Sequence, residues 1–130
     1  MAALSNYAEK LLLDWMMTTG SATRPTAWYV ALFTAAPSDS GGGTEVSTGG
    51  YTRQALTCGA AATPAGSTSN TNSILFTASG ADFGTVTHIG VFDAASAGNL
   101  LWHGLATASK FVQDGDSYVL DIGDIQFFLA

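Results

Sequence analysis

Charge is what this chain has least of. Only 11% of its 130 residues are Asp, Glu, Lys or Arg, against about 25% in an average soluble domain. The four basic residues, Lys10, Arg24, Arg53 and Lys110, are scattered, and the formal net charge is -6. That excludes a nucleic-acid partner, which needs a basic patch to release counterions from phosphates. Gly, Ala, Ser and Thr fill the gap, so the surface is unusually neutral. Part of it is expected to be covered by neighbouring subunits, because protein interfaces deplete charge at their centre.

Cysteine is nearly absent as well. Cys58 stands alone, which excludes a disulfide within the chain and a cysteine metal cluster. Its neighbours Ala55, Leu56, Thr57 and Gly59 resemble a strand, predicting a buried thiol, with a disulfide between subunits as the alternative. No apolar run approaches the roughly 20 residues of a membrane span. Leu11, Leu12 and Leu13 are interrupted by Asp14, and no basic leader or secretory cleavage site precedes them. The chain is therefore expected to start at its own beginning, to be made in a cytoplasm and to have no membrane partner.

Hydrophobic residues make up 47% of the chain, which argues against disorder and supplies a core for one domain, residues 1–130. Leu4, Tyr7, Ala8, Leu11, Leu12, Trp15 and Met16 follow helical spacing. They predict an N-terminal amphipathic helix within residues 1–20, capped by Ser5 or Asn6 and ended by Gly20. Too short to be stable alone, the helix must dock its stripe on the domain's sheet or on a neighbour.

Beyond it, residues 27–130 read as short strands separated by turns. Strands are expected at 28–34, 52–58, 74–76, 85–93, 100–103 and near the C-terminus, with residues 60–72 as a loop that need bury nothing. Over 85–93 the alternation puts Val86, His88, Gly90 and Phe92 on one face and Thr87, Ile89 and Val91 on the other. Asp114-Gly115 predicts a hairpin between 110–113 and 116–120. The fold class is mainly β: a single jelly-roll-like β-sandwich with the helix added.

Each chemical motif has a plainer explanation. Asp114, Asp116, Asp121 and Asp124 offer oxygen ligands for calcium, but Tyr118, Val119 and Leu120 interrupt them as a strand, so turn chemistry is expected. His88 and His103 lack the further donors that a zinc site requires, and are read as hydrogen-bonded structural histidines. The glycines at 41–43 and 49–50 lack the lysine and following helix of a phosphate loop. No serine sits in Gly-x-Ser-x-Gly. Catalytic, metal and cofactor sites are accordingly expected to be absent. Trp15, Trp28, Tyr29, Tyr51 and Trp102 would suit a sugar-stacking surface. Their spacing instead assigns Trp15 and Trp28 to core packing and leaves Tyr51 as the best exposed contact.

Residues 28–39, Trp-Tyr-Val-Ala-Leu-Phe-Thr-Ala-Ala-Pro-Ser-Asp, are followed by Gly-Gly-Gly-Thr-Glu-Val at 41–46 and Gly-Gly-Tyr-Thr-Arg-Gln at 49–54. A second block, Phe-Gly-Thr-Val-Thr-His-Ile-Gly-Val-Phe-Asp-Ala at 83–94, precedes Gly-Asn-Leu-Leu at 98–101, and Asn-Tyr-Ala-Glu stands at 6–9. In this order the blocks resemble a family of small bacteriophage proteins called tail-fibre-like. Trp28, where the resemblance leads one to expect a smaller aliphatic residue, and Cys58, outside the pattern, depart from the family; the resemblance implies that they leave the fold intact and would mark a contact peculiar to the virion.

The resemblance implies a non-enzymatic virion structural protein, a multi-copy tail-fibre-like or decoration subunit that forms homo-oligomers or binds other tail or capsid proteins. Its contact loop would use Pro37, Ser38, Asp39, Thr44, Glu45, Val46, Tyr51 and Arg53. Removal of residues 38–48 is expected to spare the fold. The alternative function is a host receptor or glycan-binding module at the tail tip. A third, a small hydrolase, would pair His88 or His103 with an aspartate.

Overall fold

The computed structural model describes residues 3–63 and 66–129. Strand β1 (Ala3–Leu4) leads into helix α1 (Asn6–Met17). The strands that follow are β2 (Tyr29–Ala35), β3 (Thr44–Glu45), β4 (Gln54–Ala55), β5 (Ser67–Ser69), β6 (Ile74–Thr77), β7 (Gly84–Phe92), β8 (Leu100–Val112), β9 (Ser117–Leu120) and β10 (Gln126–Phe128).

Ser5 caps α1, its Oγ accepting from Ala8 N at 3.1 Å and so satisfying one of the free donors of the first turn. The same hydroxyl donates to Leu100 O, tying the helix start to β8. The helix stops at Thr18, before the predicted Gly20. Thr18 Oγ1 donates to Asp14 O at 2.9 Å and accepts from Gly20 N at 3.2 Å, a local alternative to another helical turn.

Six strands form an antiparallel sheet in the order β1-β8-β7-β2-β3, with β4 sharing the outer edge of β2. β3 pairs with the Phe33 end of that edge and β4 with the Tyr29 end. Two ribbons, β6–β9 and β5–β10, make the second layer. Between the layers lie Val30 and Leu32 of β2, Val86, Ile89 and Val91 of β7, and Val112 of β8. They meet Ile74 and Phe76 of β6, Tyr118 and Leu120 of β9, and Phe127 of β10. β6 shows the rule in miniature, with Ile74 and Phe76 buried and Leu75 and Thr77 exposed. Burying each such large side chain favours folding by about 1.5–3 kcal/mol. The result is the predicted mainly β sandwich with an N-terminal helix.

Three local expectations fail. Val86 shares the core face with Ile89 and Val91, because the β7–β8 register shifts between Val86 and His88 and a shift resets side-chain parity. Asp114-Gly115 forms no hairpin: β9 pairs with β6, not β8. Its backbone is held by the segment before β7, with Gly115 N on Ala78 O at 2.9 Å and Asp114 N on Asp82 Oδ1 at 2.7 Å. The turn is a corner between layers. The supposed loop at 60–72, whose residues 64 and 65 lie outside the described residues, contains β5 and the buried Asn70. Asn70 Nδ2 donates to Asn72 O and Asp121 O, and its Oδ1 accepts from Gly123 N and Ile125 N.

Candidate functional site

The face of the main sheet away from the ribbons bears Phe33 and Phe92, whose rings stack at 6.2 Å. Gly90 lies between them, since a Cβ there would stand 2.8 Å from the Phe33 ring. Over this end of the sheet come the start of α1, the loop after β2 and the loop between β7 and β8.

A latch joins the loops. Arg53, just before β4, donates through Nε to Glu45 Oε2 at 2.8 Å and through Nη2 to Glu45 Oε1 at 2.9 Å, the bidentate geometry that suits a guanidinium. Its Nη1 donates to Ala94 O and Ala97 O, and its charged plane lies 3.6 Å over the Phe92 ring. Tyr51 donates to Glu45 Oε2 at 2.8 Å and accepts from Leu32 N at 3.0 Å, while its ring packs against Phe76 and Phe83. Burial pushes this phenol well above its ordinary pKa. One arginine thus fixes β3, the 94–97 turn and the sheet relative to one another.

Beside the latch opens a cleft of about 540 Å³, lined among others by Asn6, Tyr7, Asp39, Gly41, Glu45 and Asn99. Asn6 N donates to Asp39 O at 2.8 Å, so the loop clasps the helix start. Asp39 Oδ1 lies 2.7 Å from His103 Nε2. Asn99 is held by Asp93, through its N at 2.7 Å and its Nδ2 at 3.0 Å. The floor of the loop requires glycine at 43, where φ is +74° and a Cβ would sit 2.7 Å from Pro37 N.

The predicted contact residues divide into two groups. Pro37 and Val46 are buried, and Glu45, Tyr51 and Arg53 belong to the latch, so Tyr51 is not the exposed aromatic that the sequence indicated. Ser38, Asp39 and Thr44 face solvent. His103 and Asp39 come together, whereas His88 sits on β7 with its Nδ1 against Thr87 Oγ1 at 2.8 Å. Among the described residues no serine hydroxyl bonds to either histidine. Asp114 and Asp124 perform turn chemistry, accepting from Gly80 N and Asp121 N.

Further corrections concern apolar residues. Cys58 is exposed rather than buried, although neighbouring groups push its thiol pKa up by desolvation. It borders a second, more apolar cleft of about 330 Å³ with Trp28 and Trp102. Trp28 keeps over a third of its surface in solvent. Trp15, expected in the core, is 70% exposed. The helix is tied down at its start through Ser5 and Asn6, and burial fades along it: Ala8 is buried, Leu11 and Leu12 are half-buried, and Leu13, Trp15, Met16 and Met17 are exposed. Leu11, Leu12 and Trp15 instead line an open groove with Ala22 and Pro25. The sequence held a signal for this, since Leu11, Leu12, Leu13, Trp15, Met16 and Met17 cover more of the helix than one stripe against a sheet can bury.

A family model described as Podophage GP4 fiber I protein gp80 matches residues 3–127. No curated protein matches the chain.

Proposed function

The chain belongs to the family of the podophage GP4 fiber I protein gp80, and from that premise we propose that it is a non-enzymatic fibre subunit, present in many copies and held to other virion proteins by its helix. The exposed apolar face of α1 carries this reading. Leu13, Trp15, Met16 and Met17, spread around the last turns of the helix, are each 56–74% exposed, and so much apolar surface at one end of an element costs free energy in water and marks an interaction surface. Tryptophan and methionine are also residue types enriched at interface centres, where charge is depleted. The chain's overall scarcity of charge points the same way.

In this reading the sandwich is a rigid frame, and the latch presents Ser38, Asp39 and Thr44 as a second, polar contact, supported from behind by Pro37, Glu45, Val46, Tyr51 and Arg53. The partners are tail or capsid subunits or further copies of this chain. Its place is the phage particle, after synthesis in the bacterial host cytoplasm. Membrane and nucleic acid have no part in it.

The test is a phage carrying Trp15→Ser and Met16→Ser together. The purified variant should keep its circular dichroism and melting temperature, because neither side chain is in the core. Particles should carry less than a tenth of the normal amount of the protein, judged by immunoblotting of purified virions. Normal incorporation would rule out the helix as the docking element.

A further inference from the structure

The groove at the far end of α1 has a counterpart elsewhere on the same chain. We propose that it receives the turn between β9 and β10, residues 121–124, of a second copy, so that subunits join head to tail. The inference rests on the reading of α1 as the docking element and names what docks there.

The groove holds about 450 Å³ between apolar walls from Leu11, Leu12, Trp15, Ala22 and Pro25, and its one charge is Arg24. Its occupant must be convex and apolar, with a carboxylate beside the apolar group. Of the exposed large apolar side chains among the described residues, Ile122 alone has a carboxylate within two positions on either side, Asp121 and Asp124. Ile122 is 68% exposed, and both aspartates are exposed with it. Asp124 Oδ2 closes the turn on Asp121 N at 2.9 Å, so Asp121 is the carboxylate assigned to Arg24. Phe111, exposed as well, adjoins Lys110, which would meet Arg24 with like charge.

A single exposed isoleucine is ordinary, but this one sits on a turn held rigid from behind. Asn70 is buried beneath it, its Nδ2 donating to Asp121 O at 2.9 Å and its Oδ1 accepting from Gly123 N at 3.1 Å and Ile125 N at 2.9 Å. A buried amide costs free energy unless its bonds are made, and here they are made by fixing the turn. A tip set in advance loses little conformational freedom when it binds. The turn is no part of its own groove's wall, so the occupant comes from another molecule. Two different surfaces then meet, and such a heterologous contact repeats from subunit to subunit. Charge supports the choice of a second copy: at a formal net charge of -6 like chains repel one another, whereas Arg24 against Asp121 sets opposite signs together.

The experiment is sedimentation velocity of the purified chain from about 10 μM to about 1 mM, the range of a weak contact of small area. The unaltered protein should form species larger than a dimer as concentration rises. Ile122→Ser and Trp15→Ser, both at exposed positions, should each weaken association by roughly tenfold or more with circular dichroism unchanged. Mixed one to one, these two variants should form a dimer and nothing larger, because the intact groove of one meets the intact tip of the other and no second contact remains. Arg24→Asp should weaken association, and adding Asp121→Arg to it should restore association. An unaltered protein that stays monomeric, single variants that associate as it does, a mixture without dimer or a charge swap without rescue would each overturn the proposal. If α1 docks on a different virion protein, Ile122→Ser will be incorporated normally while Trp15→Ser with Met16→Ser is lost, so failure here and failure of helix docking are distinguishable.

Discussion

At the scale of single residues, Arg53 is the side chain on which most depends. It makes four hydrogen bonds, one to each oxygen of Glu45 and two to the carbonyls of the 94–97 turn, and it covers Phe92. Its side chain is only 8% exposed, so removing it leaves Glu45 as a half-buried carboxylate without its cation. Arg53→Ala should destabilise the fold by about 3 kcal/mol, the lower end of what breaking a buried pair costs, measurable by chemical denaturation. Arg53→Lys should recover little of that, because a point charge cannot serve both Glu45 oxygens and two carbonyls at once. Tyr51 gives a second expectation, in pH. Burial raises its pKa, the hydrogen bond accepted from Leu32 opposes the rise, and the Glu45 carboxylate adds to it. Tyr118 is raised by burial and then by Asp124. The folded protein therefore holds these phenolic protons more tightly than the unfolded chain does. Their stabilising contribution is whole below the unfolded value of about 10 and is lost as pH climbs beyond it. Melting temperature should hold up to about pH 9 and drop as pH rises past about 10, and the drop should be smaller in Tyr51→Phe.

At the scale of elements, the loop after β2 is part of the frame. Residues 38–48 contain β3, with Glu45 in the latch and Val46 in the core, and Val46 N donates to Leu32 O at 3.0 Å. Deleting them also removes Asp39 from Asn6 and His103. Those losses together are comparable with the roughly 5–15 kcal/mol that holds a small domain folded. The deleted protein should show no cooperative melting by circular dichroism, contrary to the expectation that the segment is removable. The neutral, glycine-rich composition there looks like a surface loop because its packing contacts are few and widely spaced. Helix α1 shows the reverse. Its period is strong enough to be found from sequence, yet nothing in the period says that burial fades from Ala8 towards Met17.

At the scale of the whole molecule, two surfaces with different chemistry emerge from one frame: an apolar helix face and a polar cleft by the helix start. Under the proposed reading, neighbours would hold the subunit through the first and leave the second open, which is why Trp15→Ser with Met16→Ser is expected to affect incorporation but not folding. The amino-acid sequence alone determined the class of fold, because apolar runs of strand length, turn residues and one 3.6-residue period suffice to choose it. It also determined the family, through blocks at 28–54 and 83–101 whose order survives without any coordinates. The single helix near the N-terminus and the strands around residues 30, 75 and 90 follow from the same local rules. Tertiary structure alone decided which face each strand presents where register shifts, as at Val86, and which layer the chain enters after Asp114-Gly115. It decided, too, that Tyr51 and Arg53 turn inward while Trp15 stays in water. The physical reason is that these outcomes depend on partners outside the local stretch of chain, such as Leu32 for Tyr51, Lys110 for Val86 and Ala97 for Arg53. Local periodicity records that a residue is apolar or polar and carries no record of which distant group it will meet.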